Sequence, residues 1–458
     1  MMDTMQVIDK DHFLAQFDRL EQQLPGSELP WVRDLRKQAF ARFEELGFPT
    51  SRTEDWRFTN VSAIAKHAFQ TVAESDANPL SAAELKRAEI DFASGNRRIF
   101  VNGHFSKRQS ISEPLPRGVV CSNLADALQG ESIQPHLAQH ADFENQPFIA
   151  LNTAFFQGGC FLQVPPNTVL EKPVYLVFVA RPGGKAIATH PRNLIVVGKN
   201  SRLQLVEIYL GLEDNRYFTN AVTEIVAGEG SAIDHYKLQR ESLSAYHIAA
   251  TQVSMQRGSN FKTHFLSLGG GLVRNEVRIV FDGEGSEATV NGLYLAGGSQ
   301  HMDNFTVIDH AQPRCASHEL YKGILDGKAH GVFNGKIFVR QDAQKTDAKQ
   351  TNKVLLLSED ATINTKPQLE IFADDVKCTH GATVGQLDAE ALFYLRSRGI
   401  GLAEARGLLT FAFANDITSR IEIEPLREQM ERVLITRHLQ ILQTSEVSKT
   451  SGVLGEPI

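Results

Sequence analysis

The chain reads as a mainly β protein, a parallel β-helix core with α-helical regions on either side, and three observations predict this. Between about residue 97 and residue 386, short β-branched runs alternate with glycine turns, and helical signals are scarce. The turns VGKNSRLQL, VAGEGSAID, MQRGSNFKT and FDGEGSEAT place serines at 201, 231, 259 and 286, a loose period of about 30, 28 and 27 residues. Amphipathic helical patterns occupy both flanks. A unit of that size cannot bury its apolar face alone, so stacked units must share one core. Propeller blades need ~40 residues or more, which favours the β-helix.

The elements follow in order. Residues from about 8 to 90 look helical, and LPWVRDLRKQAFARFEELG sets Trp31, Leu35, Phe40, Phe43 and Leu46 near one stripe before closing on Gly47 and Pro49. That stripe is expected to be core. The polar PTSRTEDWRFTNVSAI reads as a tether into the next zone. There RRIFVNG, GCFLQVP, VYLVFVA, NLIVVG, LQLVEIYL, AVTEIVAG, VRIVFDG, KIFVR and KVLLL read as strands. After residue 386, QLDAEALFYLRSRG offers Asp388 as N-cap and Gly399 as stop, GLAEARGLLTFAFAND is a second helix, and IEPLREQMERVLITRHLQILQ is a third with Pro425 in its first turn. The closing TSEVSKTSGVLGEPI is expected to be a mobile tail. The expected organisation is thus a helical region at 1–95, the β-helix at 96–386, and a helical region with its tail at 387–458.

Composition narrows the function. With 458 residues, 42% hydrophobic and 22% charged, the chain belongs among folded globular proteins. A net charge of -7 gives no electrostatic footprint for nucleic acid. The start MMDTMQVIDKDHF lacks the basic and apolar regions of a secretory signal, and apolar runs such as PVYLVFVA fall short of the ~20 residues that span a bilayer. Cys121, Cys160, Cys315 and Cys378 are far apart with no CxxC pair, which argues against a disulfide scaffold or a self-contained zinc site. A cytoplasmic location is expected.

Several enzyme signatures fail. GVFNGKIF lacks the phosphate-loop spacing, no GxSxG or HExxH occurs, and the glycines at 269–271 precede a strand rather than a helix. His235, His264, His301, His310, His318 and His330 fall in the β zone, and such residues on a β-helix suggest a carbohydrate lyase or hydrolase as the alternative function. Most of them are expected to be solvated or satisfied in the core.

The sharpest chemical motif is DDVKCTHGATVG. On a strand, Cys378 and His380 share one face, so a thiolate and an imidazole address the same space. They are two of the four or so ligands that zinc, iron or an iron-sulfur cluster takes, and the alternative role for the pair is packing.

Three segments carry a resemblance: TEDWRFTN at 53–60, the block from HGVFNGKIFVRQDAQKTDAKQ to FADDVKCTHGATVG at 330–385, and DAEALFYLRSRGI at 388–400. The chain resembles the SufB/SufD family of the SUF iron-sulfur cluster assembly machinery, nearly end to end. The helical N-terminal zone and the absence of an added cysteine cluster resemble its SufD branch. The resemblance implies a right-handed parallel β-helix and a non-enzymatic scaffold subunit of the SufBCD complex. It implies pairing with SufB through the β-helix and binding of the ATPase SufC through the C-terminal helices, where Leu392, Phe393, Tyr394, Leu395, Arg398 and Gly399 lie. Cys378 and His380 match the family's CxH segment near the SufB/SufD junction, which is linked to iron entry or nascent cluster formation. The implied cofactors are iron or a cluster held transiently with SufB, and reduced flavin in the complex. None is tightly held by the isolated chain. Unpaired edges on the last coil suggest a homodimer when SufB is absent.

Overall fold

The computed structural model describes residues 10–72, 79–88 and 94–436; the C-terminal tail lies outside the described residues. Its core is the right-handed parallel β-helix. The chain passes back and forth between two facing sheets. The first runs Thr362–Ile371, His330–Val339, His301–His310, Leu272–Phe281, Tyr246–Met255, Tyr217–Ala227, Arg192–Val197, Cys160–Val164, Val120–Asn123. The second runs Lys377–Gly385, Asp347–Leu356, Ala316–Leu325, Glu287–Ala296, Asn260–Ser267, Ala232–Arg240, Arg202–Gly211, Val174–Ala180, Asn96–Val101, His104–Phe105. Only the pairs Val120–Asn123 with Cys160–Val164 and Asn96–Val101 with His104–Phe105 are antiparallel among these neighbours.

Register explains the serine period. In the second sheet Arg202, Ala232, Asn260, Glu287, Ala316, Asp347 and Lys377 stack as successive partners, one per rung. The residue before each is the turn residue, so Ser201, Ser231, Ser259 and Ser286 form a buried column. Ser201 and Ser286 donate to the carbonyls of Pro165 and Gln256, each at 2.7 Å. The column continues through buried Cys315 and Thr346, which is why the echo fades in the sequence while the repeat persists in space.

Inward side chains of both sheets form the central apolar cluster, which includes Leu205, Ile225, Val253, Phe261, Ile279, Phe333 and Val339. The N-terminal helices cover the outer face of the first sheet, where Phe13, Phe43, Trp56 and Phe155 meet Phe218, Ile248 and Leu272. The C-terminal helices cover the second, where Ala414, Ile417, Leu426 and Met430 pack with Tyr236, Leu266, Leu295 and Ile324. Helix Ala389–Ser397 starts as expected, with Asp388 accepting from the N–H of Glu390 and Ala391, and helix Leu402–Thr418 follows. A third helical stretch occupies 424–436.

Three local features differ from the sequence reading. Helix Pro30–Leu46 buries Val32, Arg36, Ala39 and Phe43, a stripe shifted from the expected one, because Arg36 points inward. Its guanidinium donates to the carbonyls of Ala154, Phe156 and Pro25 and lies 3.8 Å from the Phe156 ring. Helix Pro147–Phe155 interrupts the β zone; it is buried on every side, so it lacks the amphipathic period that marks a surface helix. The segment at 53–60 is not a loose tether. Trp56 is buried under the Arg274 guanidinium at 3.9 Å, Arg274 also donates to the Asp55 carbonyl, and Thr59 donates to Asp303 at 2.6 Å. Glu54 pairs with Lys366 on the last strand of the first sheet.

Inside the β-helix, glycine and tyrosine alternate between rungs. Gly292 is the register partner of Tyr321, and Gly323 that of Tyr294. A Cβ on Gly292 would lie 2.2 Å from the Tyr321 ring, and one on Gly323 would lie 2.3 Å from the Tyr294 ring. Each ring occupies the space its partner's missing side chain leaves. Gly292→Ala is expected to cost roughly 2–3 kcal/mol by overpacking, read as a lower urea midpoint. Adding Tyr321→Leu should recover part of that loss if the ring is the obstacle.

Candidate functional site

Strand Lys377–Gly385 is the last of the second sheet. Cys378 pairs in register with Ala348, and His380 with Gln350. Ala348 belongs to the central cluster and Cys378 packs against it, so this face is the interior of the β-helix. His380 shares that face by alternation but is exposed, because among the described residues no further rung stacks over it. The pair therefore stands at the open mouth of the β-helix. On the opposite sheet the last strand carries Thr365, Pro367 and Leu369 in register with inward Phe333, Gly335 and Ile337.

The chemistry of the pair is asymmetric. Burial pushes the half-buried Cys378 thiol up from its ordinary value, so a metal must displace its proton to gain a thiolate. One rung below His380, buried Gln350 donates to Glu319, its own register partner on the next rung. A Cβ on Gly335 would lie 2.3 Å from the Gln350 amide nitrogen, so that glycine makes room for the polar stack. Burial raises the Glu319 carboxyl to about 7, against the opposing hydrogen bonds from Gln350 and Thr306. Among the described residues, no group of three or more His, Cys, Asp and Glu is placed to hold a metal ion. Cys378 and His380 can supply two ligands, and the rest must come from outside the chain or from solvent.

Two exposed surfaces adjoin the pair. The last strands of the two sheets have no neighbour on their outer edges among the described residues, and Ile371, Phe372 and Val384 are exposed beside them. Unpaired N–H and C=O groups on such an edge are a template for another strand. Helix Ala389–Ser397 buries none of its residues. Phe393 and Tyr394 are 74% and 57% exposed, Leu392 and Leu395 are half-buried, and Arg398 and Gly399 are exposed. Arg398 lies over the Tyr394 ring at 5.1 Å, and Gly399 ends the helix with a positive φ.

The histidines of the β zone do not converge on a groove. His235 meets Glu207 at 3.2 Å and His247 meets Glu241 at 2.7 Å, all buried within the core. His301 and His330 contact each other at 3.1 Å, and His310 contacts Ser317 at 2.9 Å. Burial alone would raise Glu207, yet His235, Lys237 and Tyr209 outweigh it and hold the carboxyl near about 2. Glu207, Lys237, Glu241 and Glu319 were not singled out in the sequence; for Glu207, Lys237 and Glu319 the signal is a charged residue at an inward position of an otherwise regular strand, while Glu241 lies just past the end of its strand.

Residues 8–176 match the SufBD protein N-terminal region, and residues 179–413 match the SufBD core domain of the SUF system for FeS cluster assembly. The chain belongs to the SufB/SufD family. It is 34% identical over 423 residues to an iron-sulfur cluster assembly SufBD family protein of Synechocystis sp., covering 90% of this chain and 92% of that one. It is 30% identical to the iron-sulfur cluster assembly protein SufD of Escherichia coli, covering 84% and 88%. It is 28% identical to SufD of Bacillus subtilis, covering 89% and 94%. In this SufB/SufD family chain, the core match contains the Cys378 strand and helix Ala389–Ser397.

The raised Glu319 carboxyl makes stability depend on pH. The unfolded carboxyl loses its proton near 4.5, whereas the folded one keeps it to about 7. The stabilisation is complete below the lower value and is lost as pH rises through the higher one. Glu319→Gln should remove this slope, leaving the variant more stable than the parent above pH 7 by on the order of 3 kcal/mol, relative to their difference near pH 4. Parallel urea titrations across that window check it.

Proposed function

We propose that this chain is a SufD-type scaffold subunit in iron-sulfur cluster assembly and does not itself catalyse a reaction. Its last rung pairs edge to edge with SufB, its C-terminal helices bind the ATPase SufC, and Cys378 and His380 give two ligands to iron or a nascent cluster whose other ligands SufB supplies. The observation that carries this reading is the position of the two residues, on one face of an edge strand at the mouth of the β-helix. A thiolate and an imidazole suit iron or a cluster edge, which is cargo here rather than a resident cofactor. Family membership and the similarity to two proteins named SufD support the same reading. The exposed Phe393 and Tyr394 supply the apolar anchors that a partner surface needs.

The test is iron content and anaerobic cluster assembly in the chain co-expressed with SufB and SufC. His380→Ala should lower bound iron severalfold while the complex stays intact by size-exclusion chromatography, and Cys378→Ala should do so to a smaller extent. Unchanged iron in both variants would leave the pair as packing. Replacing Phe393 and Tyr394 together by Ser should weaken SufC binding at least tenfold, or more than about 1.4 kcal/mol, with SufB pairing preserved. Titration calorimetry against purified SufC measures that directly.

A further inference from the structure

At the opposite end of the β-helix, the strand register brings two cysteines together. Strand Val120–Asn123 runs antiparallel to Cys160–Val164, with Cys121 opposite Leu162 and Asn123 opposite Cys160. Cys121 therefore shares a sheet face with Leu162 and, two residues along, with Cys160. They are diagonal cross-strand neighbours. Cys160 is fully buried in the central cluster and Cys121, half-buried, packs against it, so both side chains face the same interior. The hydrogen bond from Leu124 N–H to the Gly159 carbonyl pins the crossing, as does that from Cys160 N–H to Asn193.

The surroundings differ for the two thiols. Buried Arg98 reaches across from strand Asn96–Val101 and donates to the Cys121 carbonyl at 2.9 Å. The Cys160 thiol and the Arg98 guanidinium hold Cys121 down at about 7, against the opposing effect of burial. Cys160 is pushed well up by its contact with Cys121, by burial and by Glu207 across the core. The two other cysteines, Cys315 and Cys378, are both pushed up by burial. One thiol is thus half-buried at the edge of the core and readily ionised, and its neighbour is enclosed and protonated. That is the division of labour between an attacking and a resolving cysteine.

We infer that Cys121 and Cys160 form a dithiol oxidation site whose co-reactant is a hydroperoxide. The Cys121 thiolate attacks one peroxide oxygen; an S–O bond forms, the O–O bond breaks, and the leaving oxygen takes a proton to depart as water or an alcohol. Cys160 then gives up its proton and attacks the sulfenic sulfur; an S–S bond forms, the S–O bond breaks, and hydroxide leaves as water. Two thiols are oxidised by two electrons in total, and one peroxide is reduced. Diagonal Cα atoms lie roughly 7–8 Å apart, at the outer limit for a disulfide. Closure therefore needs a shift of strand Val120–Asn123, which ends its sheet and has no neighbour on its outer side among the described residues. The disulfide would close the loop 122–159, which carries helix Pro147–Phe155.

The test uses the full chain, reduced, desalted, and treated with one equivalent of hydrogen peroxide near neutral pH. Free thiols are then blocked with N-ethylmaleimide and the chain is digested without reductant for mass spectrometry. The expected product is a Cys121–Cys160 cross-linked peptide that dithiothreitol reverses, with Cys315 and Cys378 still blocked as thiols. In Cys160→Ala, Cys121 should stop at the sulfenic acid and be trapped by dimedone, an adduct missing from the parent. In a separate titration of the parent, iodoacetamide should alkylate Cys121 with a midpoint near pH 7. Recovery of both cysteines as maleimide adducts after peroxide, or a cross-link that excludes Cys160, would overturn the inference. If Cys160→Ala does not fold, the peptide map of the parent still decides.

Discussion

Everything in this molecule depends on rung-on-rung stacking. Each strand satisfies its N–H and C=O groups on the strands one turn before and after it, and each inward side chain rests on its counterparts one turn away. Stability is shared between neighbouring rungs, so the interior tolerates charges as long as the adjacent rung supplies a partner. Glu207 with His235 and Glu319 with Gln350 are both solved in this way, while Glu241 meets His247 across the turn between successive strands. The same rule leaves the final rung incomplete: among the described residues, the strands that carry His380 and Ile371 have spent only one edge.

That incompleteness joins the fold to the proposed function. Cys378 and His380 are ordinary inward residues of a regular strand, distinguished from Ala348 and Gln350 below them only by the absence of a rung above. A closed stack would have made them core. The helical caps are arranged accordingly: the flanking helices seal the outer faces of the two sheets, while no strand among the described residues extends the stack beyond residue 385.

Much of this was legible in the sequence where each strand announces itself. VYLVFVA at 174–180 is buried at every position and reads as a core strand; Asp388 and Gly399 mark the ends of their helix by local chemistry. Other strands were hidden because their inward positions are polar. AIDHYKLQR and ASHELYKGIL place His235, Lys237 and Glu319 where alternation calls for apolar residues, and the partners that make this acceptable lie on other rungs. The inward turn of Arg36 was not legible for the same reason, since two of the three carbonyls it satisfies lie more than a hundred residues away. Of the candidate site, the shared face of Cys378 and His380 follows from alternation alone. Its position at an open edge does not, because that depends on where the stack ends, and the contact between Cys121 and Cys160 depends on an antiparallel pairing that no local pattern encodes.

The docked segment at 53–60 also has a temporal consequence. Glu54, Asp55 and Trp56 leave the ribosome early, but the Arg274 contact to Asp55 spans 219 residues and the Lys366 contact to Glu54 spans 312. Rungs assemble from neighbours about thirty residues apart, so they can accrue as the chain lengthens, whereas this clasp has no seat until nearly the whole β-helix is made. Trp56 can meet Phe148 early, but the cover that Arg274 provides waits for strand Leu272–Phe281, and the Glu54–Lys366 contact closes later still.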